Sequence, residues 1–249
     1  MESTQRFSAR VEDYRRYRPG YPQALLDWLR EAHGLRPEWR VADIGCGTGL
    51  LSELLLQGGC AVVGVEPNAA MRAQGQQALG TQMTFVDGTA EATGQPDGGT
   101  NLITVGQAFH WFDPGPTRAE FRRILRPGGR CLLVWNDRDL EATPLMGEYE
   151  ALLQTHGLDY TEVRFRNASP EAIHAFFGAA PDMAEFPSEQ WMDLEALRGR
   201  LRSSSYTPPP EHAGHAPMMA ALDALFARHA RDGQVCFTYR TRAWCGELA

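Results

Sequence analysis

The stretch 41-VADIGCGTGLLSELL-55 runs a short apolar strand into three glycines and then into a leucine-rich helix. A strand ending in Asp43 and Ile44, followed by Gly45-Cys46-Gly47-Thr48-Gly49, brings backbone against a ligand where side chains would obstruct it. The dinucleotide fingerprint is G-x-G-x-x-G. Here the third glycine comes one position early, and Leu50 stands where the fingerprint has glycine. The next strand, AVVGVE, ends in Glu66, about twenty residues beyond the first glycine, where an acid accepts from ribose hydroxyls. Both a nicotinamide dinucleotide and a sulfonium nucleoside carry such a ribose. Charge separates them: Asp43 repels a pyrophosphate and suits an amino group and a sulfonium.

Outward from this turn the chain alternates. Apolar runs at Val41–Ile44, Ala61–Val65, Met83–Val86, Leu102–Val105 and Cys131–Trp135 are separated by helical stretches, the pattern of an α/β protein with a parallel sheet covered by helices. Asn68 caps a helix over 69–79, and Pro116 suits the first turn of the helix TRAEFRRIL. RPGG at 126–129 stops that helix and turns into the next strand. Beyond residue 140, PLMGEYEALLQTHG and SPEAIHAFF read as helices, the latter with Ser169 as N-cap and Pro170 in its first turn. Residues 203–217, SSSYTPPPEHAGHAP, read as a proline-rich surface loop, and GQVCFTYRTRAW at 233–244 alternates like a strand that completes the sheet.

Composition narrows the function. The chain has 249 residues, 43% hydrophobic and 22% charged, without an apolar run of bilayer-spanning length or a secretory signal, so a cytoplasmic protein is expected. Net charge is −7 and no long basic block is present, which speaks against a nucleic-acid track. All 24 basic residues are arginine. Without lysine, neither a pyridoxal Schiff base nor a P-loop is available. The five cysteines, at 46, 60, 131, 236 and 245, form no C-x-x-C pair and are expected to be free thiols. HAGH at 212–215 has no nearby acid or cysteine, and no metal is expected.

VADIGCGTG, GVEPNAAM, FVDGTAEATGQP, GQAFHWFD and ILRPGGRCLLVWN, in this order and spacing, resemble class I S-adenosylmethionine-dependent methyltransferases. QAFHWFD with the early YRPGYP is similar to the small-molecule branch that includes trans-aconitate methyltransferase. The resemblance covers about residues 10–136; beyond that only SSSY and the terminal strand look familiar. It implies a Rossmann-like, doubly wound sheet of seven mostly parallel strands with a helical cap. One domain is expected, with an N-terminal arm (1–35), a cofactor-binding core (36–139), a helical cap (140–217) and a C-terminal helix and strand (218–249).

The same resemblance implies that Gly45, Cys46, Gly47 and Gly49 line the methionine part of S-adenosylmethionine, with Glu66 on the ribose and Pro67 and Met71 beside the adenine. In DGTAE the family often has an acid where Thr89 stands; Thr89 is expected to take one hydrogen bond and the Ala90 amide to serve the ring nitrogen. Asn101, where many members have Asp, is expected to matter only structurally. Gln107 and Trp111 follow the fourth strand at the ligand-bearing edge; Trp111 either faces the sulfonium through its π-cloud or packs in the core.

Methyl transfer from a sulfonium is an in-line displacement in which the protein supplies alignment and water exclusion. His110 is the candidate catalytic base, with acceptor contact and a purely structural wall position as its other roles. Tyr14 and Arg18, in YRRYRPGYP, either reach the cofactor carboxylate or belong to an amphipathic helix docked on the sheet. Arg138 either meets an anionic substrate or is a solvated loop arginine, and Tyr206 completes the expected substrate set. The expected reaction is O-methylation of a small-molecule carboxylate or hydroxyl. Its rivals are a catalytically silent S-adenosylmethionine-binding protein and a nicotinamide-dependent oxidoreductase.

Overall fold

In the computed structural model, residues 11–160 and 169–249 are described; the first ten residues of the expected arm and 161–168 of the expected cap lie outside them. Seven strands form one sheet: β1 (Arg40–Ile44), β2 (Ala61–Val65), β3 (Thr84–Val86), β4 (Thr100–Gly106), β5 (Leu125–Arg138), β6 (Asp182–Met192) and β7 (Val235–Gly246). Their order is β3-β2-β1-β4-β5-β7-β6. The first five run parallel, and β7 is antiparallel to both β5 and β6. The chain winds outward from β1 in one direction and from β4 in the other. The switch between β1 and β4 leaves a crevice at their carboxyl ends.

Helices cover both faces. On one face α2 (Gln23–His33) and α3 (Leu50–Gln57) bury Leu25, Leu26, Leu29 and Leu55 against Val41, Leu102 and Leu132. On the other, α5 (Pro114–Ile124) and α7 (Pro170–Phe177) bury Phe121, Ile124, Phe176 and Phe177 against Ile103, Cys131 and Leu133. A third apolar cluster joins α6 (Pro144–His156), α8 (Leu194–Arg202) and α9 (His215–His229) to Val235, Phe237 and Tyr239 of β7. α1 (Val11–Tyr17) lies against α8, and α4 (Ala69–Leu79) covers β3. No described helix is long and apolar enough to cross a membrane.

The punctuation read from sequence is largely what starts these helices. Asn68 Oδ1 accepts from the amides of Ala70 and Met71 at 2.9 and 3.1 Å, and Ser169 Oγ accepts from Ala172 N at 3.2 Å ahead of Pro170. Asn101 Oδ1 accepts from Arg40 N at 2.9 Å, tying β4 to β1. All five cysteines are free.

Pro116 falls in the first turn of α5, which starts at Pro114 with Asp113 as its cap. Three expectations need correction. The expected arm is two things: α1 lies near the crevice, whereas α2 packs on one face of the sheet. Residues 182–192, inside the expected helical cap, are the edge strand β6, whose Pro187 and alternating exposed residues suit an edge. The expected surface loop at 203–217 begins inside the protein: Ser203, Ser204 and Thr207 are buried, and α9 starts at His215.

Candidate active site

Three cavities meet at the carboxyl edge of β1, β2 and β4. A cleft of about 110 Å³ is lined by Gly45, Gly47, Glu66, Pro67, Met71 and Trp111, among others. An inner cavity of about 30 Å³ lies beside Asp43, Gly45, Cys46, Gly106 and Asn136. A chamber of about 890 Å³ opens beyond them, with His110, Arg138, Tyr160 and Tyr206 on its walls. Tyr14 and Gln107 line all three.

The glycine turn is held by its own backbone. The amides of Gly45 and Cys46 both donate to the Val65 carbonyl, at 2.8 and 3.2 Å, pinning the turn to the end of β2. Gly45, Gly47 and Gly49 have φ of +66°, +57° and +82°. Their surroundings differ. A Cβ on Gly45 would stand 2.7 Å from Ala108 Cβ and 3.1 Å from the Phe112 ring, whereas one on Gly47 would meet nothing within 4 Å. Gly49 serves packing: a Cβ there would stand 2.7 Å from Leu79 Cδ1, and the residue lines none of the cavities, contrary to the expected cofactor contact.

Glu66 is buried and bridges two segments. Its Oε2 accepts from Gly47 N at 3.0 Å and its Oε1 from Asn68 N at 2.9 Å. Burial raises its pKa, and the two amides oppose the rise. The carboxylate is therefore fixed in the cleft with further acceptor capacity on each oxygen. Asp43 borders the inner cavity from within the core. It is fully buried, Oδ2 accepting from Ser52 Oγ at 2.6 Å and Oδ1 from Thr104 Oγ1 at 2.9 Å. Burial pushes its pKa up to about 6 against the pull of these hydroxyls. Its charge acts on the inner cavity while its atoms fasten β1 to α3 and β4.

Pro67 and Met71 line the cleft, and Cys46 lines the inner cavity. Thr89 and Ala90 do not. Thr89 closes a turn with Ala92 and gives its hydroxyl to Glu91, and Ala90 is buried in the core under β1 and β4. Gln107 sits at φ +58°, a conformation that costs a non-glycine residue of order 1–3 kcal/mol. Its amide donates to Val134 O and its Nε2 to Asn136 O, at 3.0 and 3.1 Å, which hold it at the junction of the cavities. Trp111 lies on the wall between cleft and chamber, so the core-packing alternative does not describe it. His110 faces the chamber, its ring 4.7 Å from that of Trp111.

Arg138 is not a solvated loop residue. It donates to Glu150 Oε2 at 2.8 Å, to Tyr206 Oη at 3.3 Å and to Tyr160 Oη. Arg18 follows α1 and donates to Ser203 Oγ and Ser203 O, both at 3.0 Å. Tyr14 lies beneath the Arg18 guanidinium, which is 5.0 Å from its ring centroid. Arg200, Asn136 and Phe112 also line the site and were not singled out from sequence.

Residues 42–133 match the protein family described as "Methyltransferase domain". Over these residues the chain is similar to methyltransferases. An uncharacterized methyltransferase from Mycobacterium tuberculosis is 39% identical over 165 residues, 66% of this chain and 64% of the relative. The chain thus spans just under two thirds of the length of its mycobacterial relatives. The ubiquinone biosynthesis O-methyltransferase of Aeromonas salmonicida is 30% identical over 127 residues, 49% of this chain and 53% of that one. Among solved structures, a protein from Anaeromyxobacter dehalogenans provisionally assigned as a type II methyltransferase superposes with a TM-score of 0.65 at 24% identity, covering 93% of this chain and 98% of the other. This likeness shows the methyltransferase fold.

The cleft fits the family's cofactor on its own geometry. Gly47 leaves open space beside the backbone, Gly45 admits no larger residue, and Glu66 is held in the cleft with acceptor capacity for a ribose. Apolar Pro67 and Met71 supply a wall for a base, and Asp43 puts negative charge beside the inner cavity.

Proposed function

We propose that this methyltransferase core transfers a methyl group from S-adenosylmethionine to a small-molecule acceptor held in the large chamber, by O-methylation of a carboxylate or hydroxyl, in the cytoplasm. The observation that carries this reading is the wall between the two spaces: Trp111 faces both cleft and chamber, and Tyr14 and Gln107 stand beside it. When bound, S-adenosylmethionine supplies a methyl group activated by its sulfonium. The chain's own work is then placement. Gly45, Gly47 and Glu66 hold the nucleoside side, Asp43 offsets positive charge near the inner cavity, and Tyr14 and Trp111 exclude water from the transfer path.

His110 contacts the acceptor in this reading, and accepts a proton when the acceptor is a hydroxyl. A carboxylate acceptor is already ionised near neutral pH and needs positioning only. The resemblance to an O-methyltransferase supports oxygen as the accepting atom. The test has two parts. Calorimetry with S-adenosylhomocysteine is expected to give saturable heat, and NADH none; the reverse ends the reading. Labelled S-adenosylmethionine incubated with the protein and a metabolite extract is expected to label a low-molecular-weight product, and absence of label would leave a cofactor-binding protein without transferase activity.

A further inference from the structure

Three guanidinium groups converge where the inner cavity opens into the chamber. Arg200, on the last turns of α8, is 3% exposed; Arg18 follows α1, and Arg138 ends β5. Arg18 and Arg200 line both spaces. Their charge balance differs from that of several surface arginines. Arg198, Arg202, Arg228, Arg240 and Arg242 all pair with carboxylates. At the junction, Glu150 pairs with Arg138.

Arg18 and Arg200 have neutral partners. Arg18 donates to Ser203 Oγ, Ser203 O and Ser204 Oγ, the last at 3.4 Å. Arg200 donates to Tyr239 Oη at 3.3 Å and to Ser204 Oγ at 3.2 Å. Neither has a carboxylate partner among the described residues, and Nη1 of Arg18 and Nη2 of Arg200 have no acceptor among them. Arg200 is buried and Arg18 half-buried, and a cation taken from water without a paired charge is costly. Asp43 also lines the inner cavity, but its oxygens are taken by Ser52 and Thr104, so on the chamber side the two guanidiniums favour an anion. The neighbouring phenol registers this field. Burial opposes ionisation of Tyr206, yet Arg138, Arg200 and Arg18 bring its pKa down to about 7.

The single carboxylate of S-adenosylmethionine could answer only one of the two guanidiniums, which would leave the other. We infer that the second charge belongs to the acceptor: Arg200, with the Tyr206 hydroxyl and the Arg138 guanidinium beside it, seats a carboxylate or phosphate of an anionic small molecule. This inference rests on the reading of the chamber as the acceptor's space. Arg200 is then a specificity-determining residue, and neutral metabolites of similar size are poor acceptors because they leave its charge unanswered. Tyr206 is 3.3 Å from Arg138 Nη1 and stacks edge-on against Tyr160 at 4.8 Å, which fixes its hydroxyl at the chamber wall.

The test titrates the whole protein, saturated with S-adenosylhomocysteine, with benzoate, phenyl phosphate and benzamide at constant ionic strength. Tryptophan fluorescence is the readout, since Trp111, Trp135 and Trp244 line the chamber. At least one anion is expected to bind about tenfold more tightly than benzamide, consistent with a charge-assisted hydrogen bond, and the stronger of the two identifies the oxyanion. Arg200→Met is expected to remove that preference while S-adenosylhomocysteine affinity stays within about twofold; Tyr206→Phe should weaken the anion by about threefold. Equal binding of benzamide and both anions overturns the inference. So does Arg200→Met weakening S-adenosylhomocysteine while sparing the anion, which would give Arg200 to the cofactor. If Arg200→Met does not fold by circular dichroism, the anion–benzamide comparison on the wild-type protein decides alone. If S-adenosylhomocysteine does not bind, the methyltransferase reading fails separately, and the same titration without it still reads the anion site.

Discussion

The glycine-loop cleft and the chamber beside it share Tyr14, Gln107 and Trp111, yet they are built differently. The cleft is made by backbone: positive-φ glycines, amides on a carbonyl, and a carboxylate braced by two amides. The chamber is made by side chains that come from α1, β5, β7, α8 and the 203–206 segment. A backbone-built site dictates residue type at each position, so single changes should be severe and specific. A side-chain-built site distributes its energy, and single changes should mainly alter preference.

The largest expected effect lies in the cleft and separates two glycines. Gly45→Ala places a methyl within 2.7 Å of Ala108 Cβ at φ +66°, and overpacking with left-handed strain costs roughly 2–5 kcal/mol. S-adenosylhomocysteine binding is expected to fall by about a hundredfold or more by calorimetry, with a lower melting temperature. Gly47→Ala meets no atom within 4 Å and carries only the conformational cost of roughly 1–2 kcal/mol. Equal losses in the two variants would mean that the turn is not shaped by its contact with Ala108 and Phe112.

Next in size is Glu66. Glu66→Gln keeps the shape but replaces a charged acceptor, and it leaves one of the Gly47 and Asn68 amides facing an NH₂ donor. A loss of roughly 1.5–3 kcal/mol, about tenfold to a hundredfold in S-adenosylhomocysteine affinity, is expected by calorimetry. His110→Ala, in contrast, should leave that affinity within about twofold and change turnover of the acceptor, because His110 faces the chamber and lines neither the cleft nor the inner cavity.

This contrast also explains what could be read in advance. The strand order's parallel half, the caps at Asn68 and Ser169, the glycine turn and Glu66 were legible because local geometry demands particular residue types at fixed spacing. Thr89 and Ala90 were misplaced because position in a motif was carried over without the turn that closes Thr89 onto Ala92. Arg200 and the buried serines were invisible. Ser203 and Ser204 are polar and precede three prolines, and they are held inside by Arg18, 185 and 186 residues away in sequence, and by Arg200. β6 was missed because an edge strand can be polar and contain proline without losing its pairing.

A pH experiment sharpens the comparison at Asp43, where two readouts should move in opposite directions. Its pKa is raised from 3.8 to about 6, so folding favours the protonated carboxyl. That contribution to stability is present below the unfolded value and is lost as pH rises through about 6. Relative to Asp43→Asn, the unliganded wild type should therefore lose up to about 3 kcal/mol between pH 4 and pH 7, measured by denaturant unfolding. S-adenosylmethionine is cationic at sulfur and favours the ionised carboxylate, so its affinity should instead fall by about tenfold between pH 7 and pH 5. Affinity independent of pH across this range would remove Asp43 from the electrostatics of the cofactor.

The smallest effect tests the chamber rim. Ser169 and Pro170 line the chamber, and Ser169 Oγ caps α7 through Ala172 N at 3.2 Å. Ser169→Ala removes that acceptor and should destabilise the protein by about 0.5–2 kcal/mol, a few degrees in melting temperature for a chain of this size. Cofactor affinity should not change, since α7 packs on α5 and β5 and contributes nothing to the glycine-loop cleft. A cap replaced at the rim is a stability change with a local address. If Ser169→Ala weakened S-adenosylhomocysteine as strongly as it lowered the melting temperature, the cleft would be coupled to the chamber rim through the α5–α7 layer, and the division into a backbone-built site and a side-chain-built site would not hold energetically.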